Sequence, residues 1–246
     1  MLWCHGLTSS MASEDDRGLW SLAEPLDRAG FALIRYDARG HGQSTGRAVA
    51  GDYDWANLAL DGWALHDRMA QSTDEPWVLG GASMGAATTL HMAAQRPDSV
   101  RAMVLVIPPT AWETRRAQRE IYEQAAGFIR RNGKARYVEA NSRLPPLPIF
   151  AERDIRSVPD ISEELLPIVL EGAAGADFPS REVVRTFSMP TLVLAWDADP
   201  GHPVSTAEQL ADLLPNNIMH VATEFEQILG WSDRIADFVR SVGGAT

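Results

Sequence analysis

The chain has 246 residues, 45% of them hydrophobic, with 33 acidic against 22 basic side chains and a net charge of −11. This length fits one large α/β domain or one domain carrying an insertion, and the negative surface repels phosphate backbones and anionic lipid, which argues against nucleic-acid and membrane partners. Cys4 is the single cysteine, so no internal disulfide forms. No apolar run approaches membrane-spanning length, and the first residues lack the basic-then-apolar pattern of a secretory leader, so a soluble cytoplasmic protein is expected.

Met1 to Cys4 reads as a short apolar strand, followed by the loop His5-Gly6-Leu7-Thr8-Ser9-Ser10. Ser13, with Asp16 three residues on, predicts a capped helix start. Leu19, Trp20, Leu22 and Leu26 would share a face of that helix, with Pro25 a point of kinking and Gly30 its end. Phe31 to Tyr36 reads as a second strand, running into the polar, glycine-rich loop Asp37-Ala38-Arg39-Gly40-His41-Gly42-Gln43-Ser44. Asp54 to about Ala70 reads as a helix packed through Trp55, Leu58, Trp63 and Leu65.

Next comes Trp77-Val78-Leu79-Gly80-Gly81-Ala82-Ser83-Met84-Gly85-Ala86-Ala87. A short apolar run ends in glycines and a small-residue helix follows at once, which reads as strand, sharp turn and helix with Ser83 at the tip. Gly81-x-Ser83-x-Gly85 is the pattern of a nucleophile elbow. The turn strains the serine backbone, and a side chain at either flanking position would collide with the neighbouring strand or helix. In return the hydroxyl stands clear of the sheet, and the Met84 amide at the helix start points to where negative charge would develop. The helix stops by Arg96, ahead of Pro97. Arg101 to Ile107 is a continuous apolar run, as in a strand covered on both faces.

From Pro108 to about Met189 the rhythm changes. A long charged helix is expected from about Trp112 to Asn132, closed by Gly133, then proline-broken pieces around Pro145 to Pro148 and a helix from about Ser162 to Glu171. No strand is convincing there, so residues 109–188 read as a helical cap inserted between two parts of one core, residues 1–108 and 189–246. Thr191 to Trp196 returns to strand, followed by the loop Asp197-Ala198-Asp199-Pro200-Gly201-His202-Pro203 and a helix to about Leu214. A last strand at roughly Ile218 to Ala222 precedes a helix from about Trp231 to Ser241. This alternation predicts an α/β fold, a mostly parallel sheet flanked by helices, with its site at the carboxyl ends of the strands.

His5-Gly6, the Asp37 to Ser44 loop, Gly81-x-Ser83-x-Gly85 and Asp199-Pro200, in this order, resemble the α/β-hydrolase fold family over nearly the whole chain. The resemblance implies Ser83 as nucleophile and Asp199 as acid, with Leu7 and Met84 giving the oxyanion-hole amides. Asp197 competes for the acid's role, and Asp199 is favoured because the family's acid sits a few residues beyond the strand, often before proline. No metal or organic cofactor is implied.

Two departures stand out. The family places its catalytic histidine after the last strand, and Ala222 to Trp231 contains none, while His220 falls too early, within the strand itself. His202 is the best substitute. Three residues beyond Asp199, it reaches Ser83 as a base, lines the pocket or merely shapes the turn, and the sequence leaves these open. His5 and His41 belong to the two glycine loops and are candidate substrate contacts near the mouth of the site. His66 and His91 fall on helices and read as packing or surface residues. The second departure is the missing leading hairpin, which gives about six strands instead of eight and leaves Phe31 to Tyr36 as a possible exposed edge. That edge invites pairing with a second copy, or else the natural start lies upstream.

The resulting expectation is a hydrolase of a small ester or lactone, acting through Ser83 and an acyl-enzyme with a non-standard or impaired base. The alternative is a catalytically silent member of the fold that binds a small ligand or a protein partner. Less favoured is cofactor-independent perhydrolysis or C–C cleavage in the same pocket. Trp112, Tyr122, Phe128, Tyr137 and Phe150 would give the cap its apolar character.

Overall fold

The computed structural model describes residues 1–69, 75–153 and 155–243. Its strands are β1 (Leu2–Cys4), β2 (Ile34–Arg35), β3 (Trp77–Ala82), β4 (Val100–Val106), β5 (Thr191–Trp196) and β6 (Asn217–Ala222). All pair in parallel, in the order β2-β1-β3-β4-β5-β6. Chain order reverses direction across β1 and β3, so the loops after these two strands diverge and leave a crevice at their carboxyl ends.

The helices are α1 (Met11–Arg17), α2 (Ala23–Arg28), α3 (Trp55–Met69), α4 (Met84–Gln95), α5 (Arg115–Asn132), α6 (Lys134–Ser142), α7 (Leu166–Gly175), α8 (Arg181–Val184), α9 (Val204–Leu213), α10 (Phe225–Leu229) and α11 (Trp231–Val242). Successive strand residues point to opposite faces, and the continuous apolar runs therefore feed two cores. Met103, Leu105 and Val193 pack with Trp55, Trp63, Leu90 and Leu210 from α3, α4 and α9. Val104, Val106 and Leu194 pack with Leu26, Ile235 and Val239 from α2 and α11. Strands covered on both sides show no polar alternation, as the sequence of β4 and β5 displays.

Helices α5 to α8 lie between β4 and β5 in the chain. Part of this insertion has its own small core, in which Ile129, Leu166, Val169 and Leu170 pack on Tyr53. Gly172 permits that approach, since a Cβ there would meet the Ala50 carbonyl oxygen. Arg115, at the start of α5 and 1% exposed, donates to the carbonyls of Ala173 and Ala176, and Arg119 to that of Ala174. These carbonyls belong to the C-terminal turn of α7, where acceptors lack intrahelical donors and positive charge is favourable. The Arg115 guanidinium also lies 4.2 Å from the ring centroid of Trp55, tying the insertion to α3.

Several boundaries differ from the sequence reading. The first helix starts at Ser10, not Ser13: Ser13 is the third helical residue and exchanges capping bonds with Ser10, its amide on the Ser10 hydroxyl at 3.0 Å and the Ser10 amide on its own at 2.8 Å. Gly18, at φ 61°, ends the helix, so Leu19, Trp20 and Leu22 lie between two helices. The second strand is two residues long, because only Ile34 and Arg35 find register on β1. The helix expected near Ser162 begins at Leu166, with Ser162 accepting from the Leu165 amide. Helix α10 lies in a stretch read as loop. The expected end of α3 at Ala70 lies outside the described residues. β2 is an edge of the sheet, as expected, and β6 is the other.

Candidate active site

Ser83 sits between β3 and α4 at φ 55° and ψ −115°, a conformation that L-residues avoid. Its amide is held by the Val106 carbonyl at 3.0 Å, and its own carbonyl accepts from Ala86 and Ala87 in the first turn of α4. The turn is thus pinned on both sides, which fixes the direction of Oγ. α4 begins at Met84, whose N–H has no intrahelical acceptor.

The loop after β5 brings the second and third groups. Ala198 takes φ 57°, and the His202 amide turns back onto the Asp199 carbonyl at 3.2 Å. The Gly201 carbonyl accepts from the Thr110 amide at 3.1 Å, which moors the loop to the end of β4. In this turn Asp199 Oδ2 lies 2.8 Å from His202 Nδ1, and His202 Nε2 lies 2.8 Å from Ser83 Oγ. The network assigns the tautomer: Nδ1–H donates to the carboxylate, and Nε2 accepts from the serine hydroxyl. Asp199 Oδ2 also accepts from Trp196 Nε1 at 2.8 Å, and Oδ1 from the Gly201 amide at 2.9 Å. His202 is held edge-on to Trp196, with ring centroids 6.3 Å apart.

Burial works to raise the Asp199 carboxyl, but the hydrogen bond and charge of His202, with the bonds from Trp196 and Gly201, bring it down to about 2. The folded value therefore lies below the ordinary 3.8, so the carboxylate contributes stability above about pH 4 that is lost as pH falls through about 2. Asp199→Asn removes this contribution. The gap in urea stability between wild type and variant is expected to narrow by about 2 kcal/mol from about pH 5 to about pH 2. A constant gap over that range would show that the carboxylate is not held by these bonds.

Oγ and the imidazole open into a cavity of about 300 Å³ that also takes in Gly6, Leu7 and Thr8 from the first loop. Met84 adjoins Ser83 but is buried, at 3% exposure, and is not part of the cavity lining. The insertion contributes Leu147, Phe150 and Ile155 to the wall. Of the five aromatic residues expected to make the cap apolar, only Phe150 reaches the cavity. Tyr122 and Tyr137 pack against the insertion's own core, and Trp112 stacks edge-on to Phe178.

His5 and His41 do not line the cavity, contrary to the expectation that they contact substrate. They are 2% and 0% exposed. His5 Nε2 accepts from the Ala38 amide at 2.8 Å and its Nδ1 donates to the Gly6 carbonyl at 2.8 Å. His41 Nδ1 donates to the Arg39 carbonyl at 2.9 Å. Burial lowers both pKa values, that of His41 to about 3, so both rings are neutral; His5 clamps the two glycine loops together, and His41 packs against its ring from the second loop. The carboxylate bonded to His202 is that of Asp199, not that of Asp197. His220 lies on β6 against Arg234, away from Ser83. The Trp196 indole, which fixes the Asp199 carboxylate, went unread in the sequence as a site residue. Its position at the end of a strand three residues before the acid was the available signal.

A family model for the alpha/beta hydrolase fold matches residues 1–135. The chain belongs to the alpha/beta hydrolase fold family. Among relatives of this alpha/beta hydrolase is a Klebsiella pneumoniae protein named for carbamate hydrolysis, RutD, 26% identical over 212 residues that span 81% of this chain and 76% of that one. Lipase LipV of Mycobacterium tuberculosis is 28% identical over 199 residues, covering 80% of this chain and 65% of the lipase. Among solved structures, a thermophilic esterase from Thermogutta terrifontis superposes with a TM-score of 0.73 at 23% identity, covering 99% of this chain and 90% of the esterase. The enol-lactonase of Burkholderia xenovorans gives 0.73 at 20% identity, with 97% and 90% covered. The two relatives are named as hydrolases, and the two solved structures share the fold of this chain. Among the described residues, no helix of this hydrolase is long and apolar enough to cross a membrane.

Proposed function

We propose that the protein hydrolyses a small carboxylic ester or lactone through Ser83, with His202 as base and Asp199 as the group that orients it. The observation that carries this reading is the unbroken chain Asp199 Oδ2, His202 Nδ1, His202 Nε2, Ser83 Oγ, with 2.8 Å at both links. A serine hydroxyl is a weak nucleophile until a neighbouring base takes its proton. His202 accepts that proton at Nε2 as Oγ attacks the carbonyl carbon, and Asp199 stabilises the imidazolium that results.

The oxyanion of the tetrahedral intermediate is taken by the amides of Leu7 and Met84. Its collapse breaks the bond to the leaving oxygen, which receives the proton from His202. Water, deprotonated by the same Nε2, then attacks the acyl-enzyme and releases the acid and free Ser83. The names of the esterase, lactonase, lipase and carbamate-hydrolysing relatives support acyl transfer to water. A cavity of about 300 Å³ favours small substrates, and Leu147, Phe150 and Ile155 give residues 109–188 the role of a cap over the site.

The geometry favours an intact base over an impaired one. The base comes from the same loop as the acid, so one turn sets both links. Intact mass after incubation with a fluorophosphonate tests the reading. Wild type is expected to gain one adduct, and Ser83→Ala none. His202→Ala and Asp199→Asn are expected to label at least a hundredfold more slowly, within the range that a positioned base contributes. An unlabelled wild type would refute the hydrolase reading in favour of a catalytically silent protein that binds a ligand or partner.

A further inference from the structure

Two of the groups that hold the Asp199 carboxylate belong to its own turn: the Gly201 amide on Oδ1 and His202 Nδ1 on Oδ2. Both travel with the loop. Trp196 Nε1 comes from β5 instead, and it donates to Oδ2 at 2.8 Å, the oxygen and the distance that His202 also uses. β5 is tied to β4 beside the elbow: the Leu194 carbonyl accepts from the Ile107 amide, and the neighbouring Val106 carbonyl accepts from the Ser83 amide. The indole therefore refers the acid to the same sheet that carries the nucleophile. The ring itself is braced on two sides. Trp196 is 4% exposed, Trp231 stacks on it with centroids 5.8 Å apart and 10° between the planes, and Phe150 meets it edge-on at 5.1 Å. A buried indole N–H needs an acceptor, but a backbone carbonyl would serve packing alone. A carboxylate oxygen already bonded to the base differs, because two donors on one oxygen draw on the same charge.

We propose that Trp196 is a positioning residue of the hydrolytic reaction: its braced indole N–H aims the Asp199 carboxylate at His202 and takes a share of the Oδ2 charge that the imidazole would otherwise have to itself. The proposal rests on the hydrolase reading above. It has two consequences for rate. Holding Asp199 keeps His202 Nε2 directed at Ser83 Oγ, which acts on kcat and not on KM. Sharing Oδ2 weakens the hold of the carboxylate on the imidazolium. With the N–H removed, the imidazolium keeps the whole of Oδ2, and the acid limb of the kcat/KM profile moves to higher pH. Glu14 and Arg17 of α1 and Arg156 of the insertion share the cavity with Asp199 and His202, and Asp197 belongs to their loop. All four are the same in wild type and variant, so the difference between the profiles reads the indole. Phe150 belongs to the insertion, so the segment that walls the cavity also braces the group that aims the acid.

The test measures kcat, KM and the pH dependence of kcat/KM with 4-nitrophenyl acetate. It compares wild type, Trp196→Phe and a protein with benzothienylalanine placed at position 196, which keeps the two-ring body and puts sulfur where the N–H was. Active sites are counted by fluorophosphonate labelling taken to completion, so any loss of folded protein cancels. Both altered proteins are expected to lose about tenfold in kcat, with KM within about twofold, and to move the acid limb to higher pH by about half a unit. Should Trp196→Phe fail to fold, the benzothienyl protein, with its packing kept, gives the answer. An acid limb that stays in place or moves to lower pH in a folded protein would overturn the proposal, as would a kcat within about twofold of wild type or a loss carried by KM. An indole that only packs gives the unmoved limb. Labelling of wild type separates the two readings. A labelled wild type with an unmoved limb in the altered proteins removes this inference alone, and an unlabelled wild type removes the hydrolase reading along with it.

Discussion

His202→Ala is expected to lower kcat for a short chromogenic ester by about four to six powers of ten, with Ser83→Ala falling as far and the double variant no further. The magnitude is the one that removal of a triad member costs in serine proteases, where the members act as a unit. Here the unit is compact: Asp199 and His202 are three residues apart in one turn, and the imidazole spans the 2.8 Å contacts to carboxylate and hydroxyl. No other imidazole can replace it. His5 and His41 are buried and neutral, with both nitrogens of His5 and Nδ1 of His41 held by backbone, His66 and His91 lie on α3 and α4 against Asp67 and the Asp177 carbonyl, and His220 lies beside Arg234 on the edge strand. Steady-state kinetics of the three variants decide the matter. Activity of His202→Ala within tenfold of wild type would exclude it as the base. Recovery of part of the lost rate on adding imidazole would assign the missing function to the ring rather than to loop structure.

How far the sequence could be read follows from what each signal depends on. The elbow was legible because its glycines, its serine and the apolar strand before it are neighbours in the chain, so the whole pattern shows within one short stretch. The continuous apolar runs of β4 and β5 were legible for the same reason. The partner of Ser83 was less so. His202 lies 119 residues further on, and whether its ring faces the serine depends on the turn at Ala198 and on the mooring of Gly201 to Thr110. Neither leaves a mark in composition or spacing. His5 and His41 misled because glycine-loop histidines at the mouth of a site look alike whether they face the cavity or each other, and here their rings are 5.1 Å apart. The start of the first helix differs by three residues because Ser10 and Ser13 are both good caps. The choice fell to Ser10, whose hydroxyl also donates to Asp160 at 2.6 Å across the insertion.

Gly85→Ala is expected to remove about 4 kcal/mol or more of stability, enough to leave much of the protein unfolded or insoluble. A Cβ on Gly85 would overlap the carbonyl of Cys4 and lie 2.9 Å from the carbonyl oxygen of His5. These are backbone atoms at the end of β1, where the chain leaves the sheet for the His5-Gly6 loop, and α4 presses against them. Nothing flexible can yield. Gly81 is bounded in the same way as Gly85, with the Cys4 oxygen and the Gly85 carbonyl carbon each 2.5 Å from where a Cβ would stand. The two glycines therefore let α4 start directly over β1, which brings the Met84 amide and Ser83 beside the first loop. Gly175→Ala is the control: nothing lies within 4 Å of an added Cβ there, and as the last residue of α7 it is expected to change stability by no more than about 1 kcal/mol. Urea unfolding of the soluble fractions reads both. A Gly85→Ala protein within about 1 kcal/mol of wild type would mean that the elbow can shift away from β1, and the tight packing argued for Ser83 would fall with it.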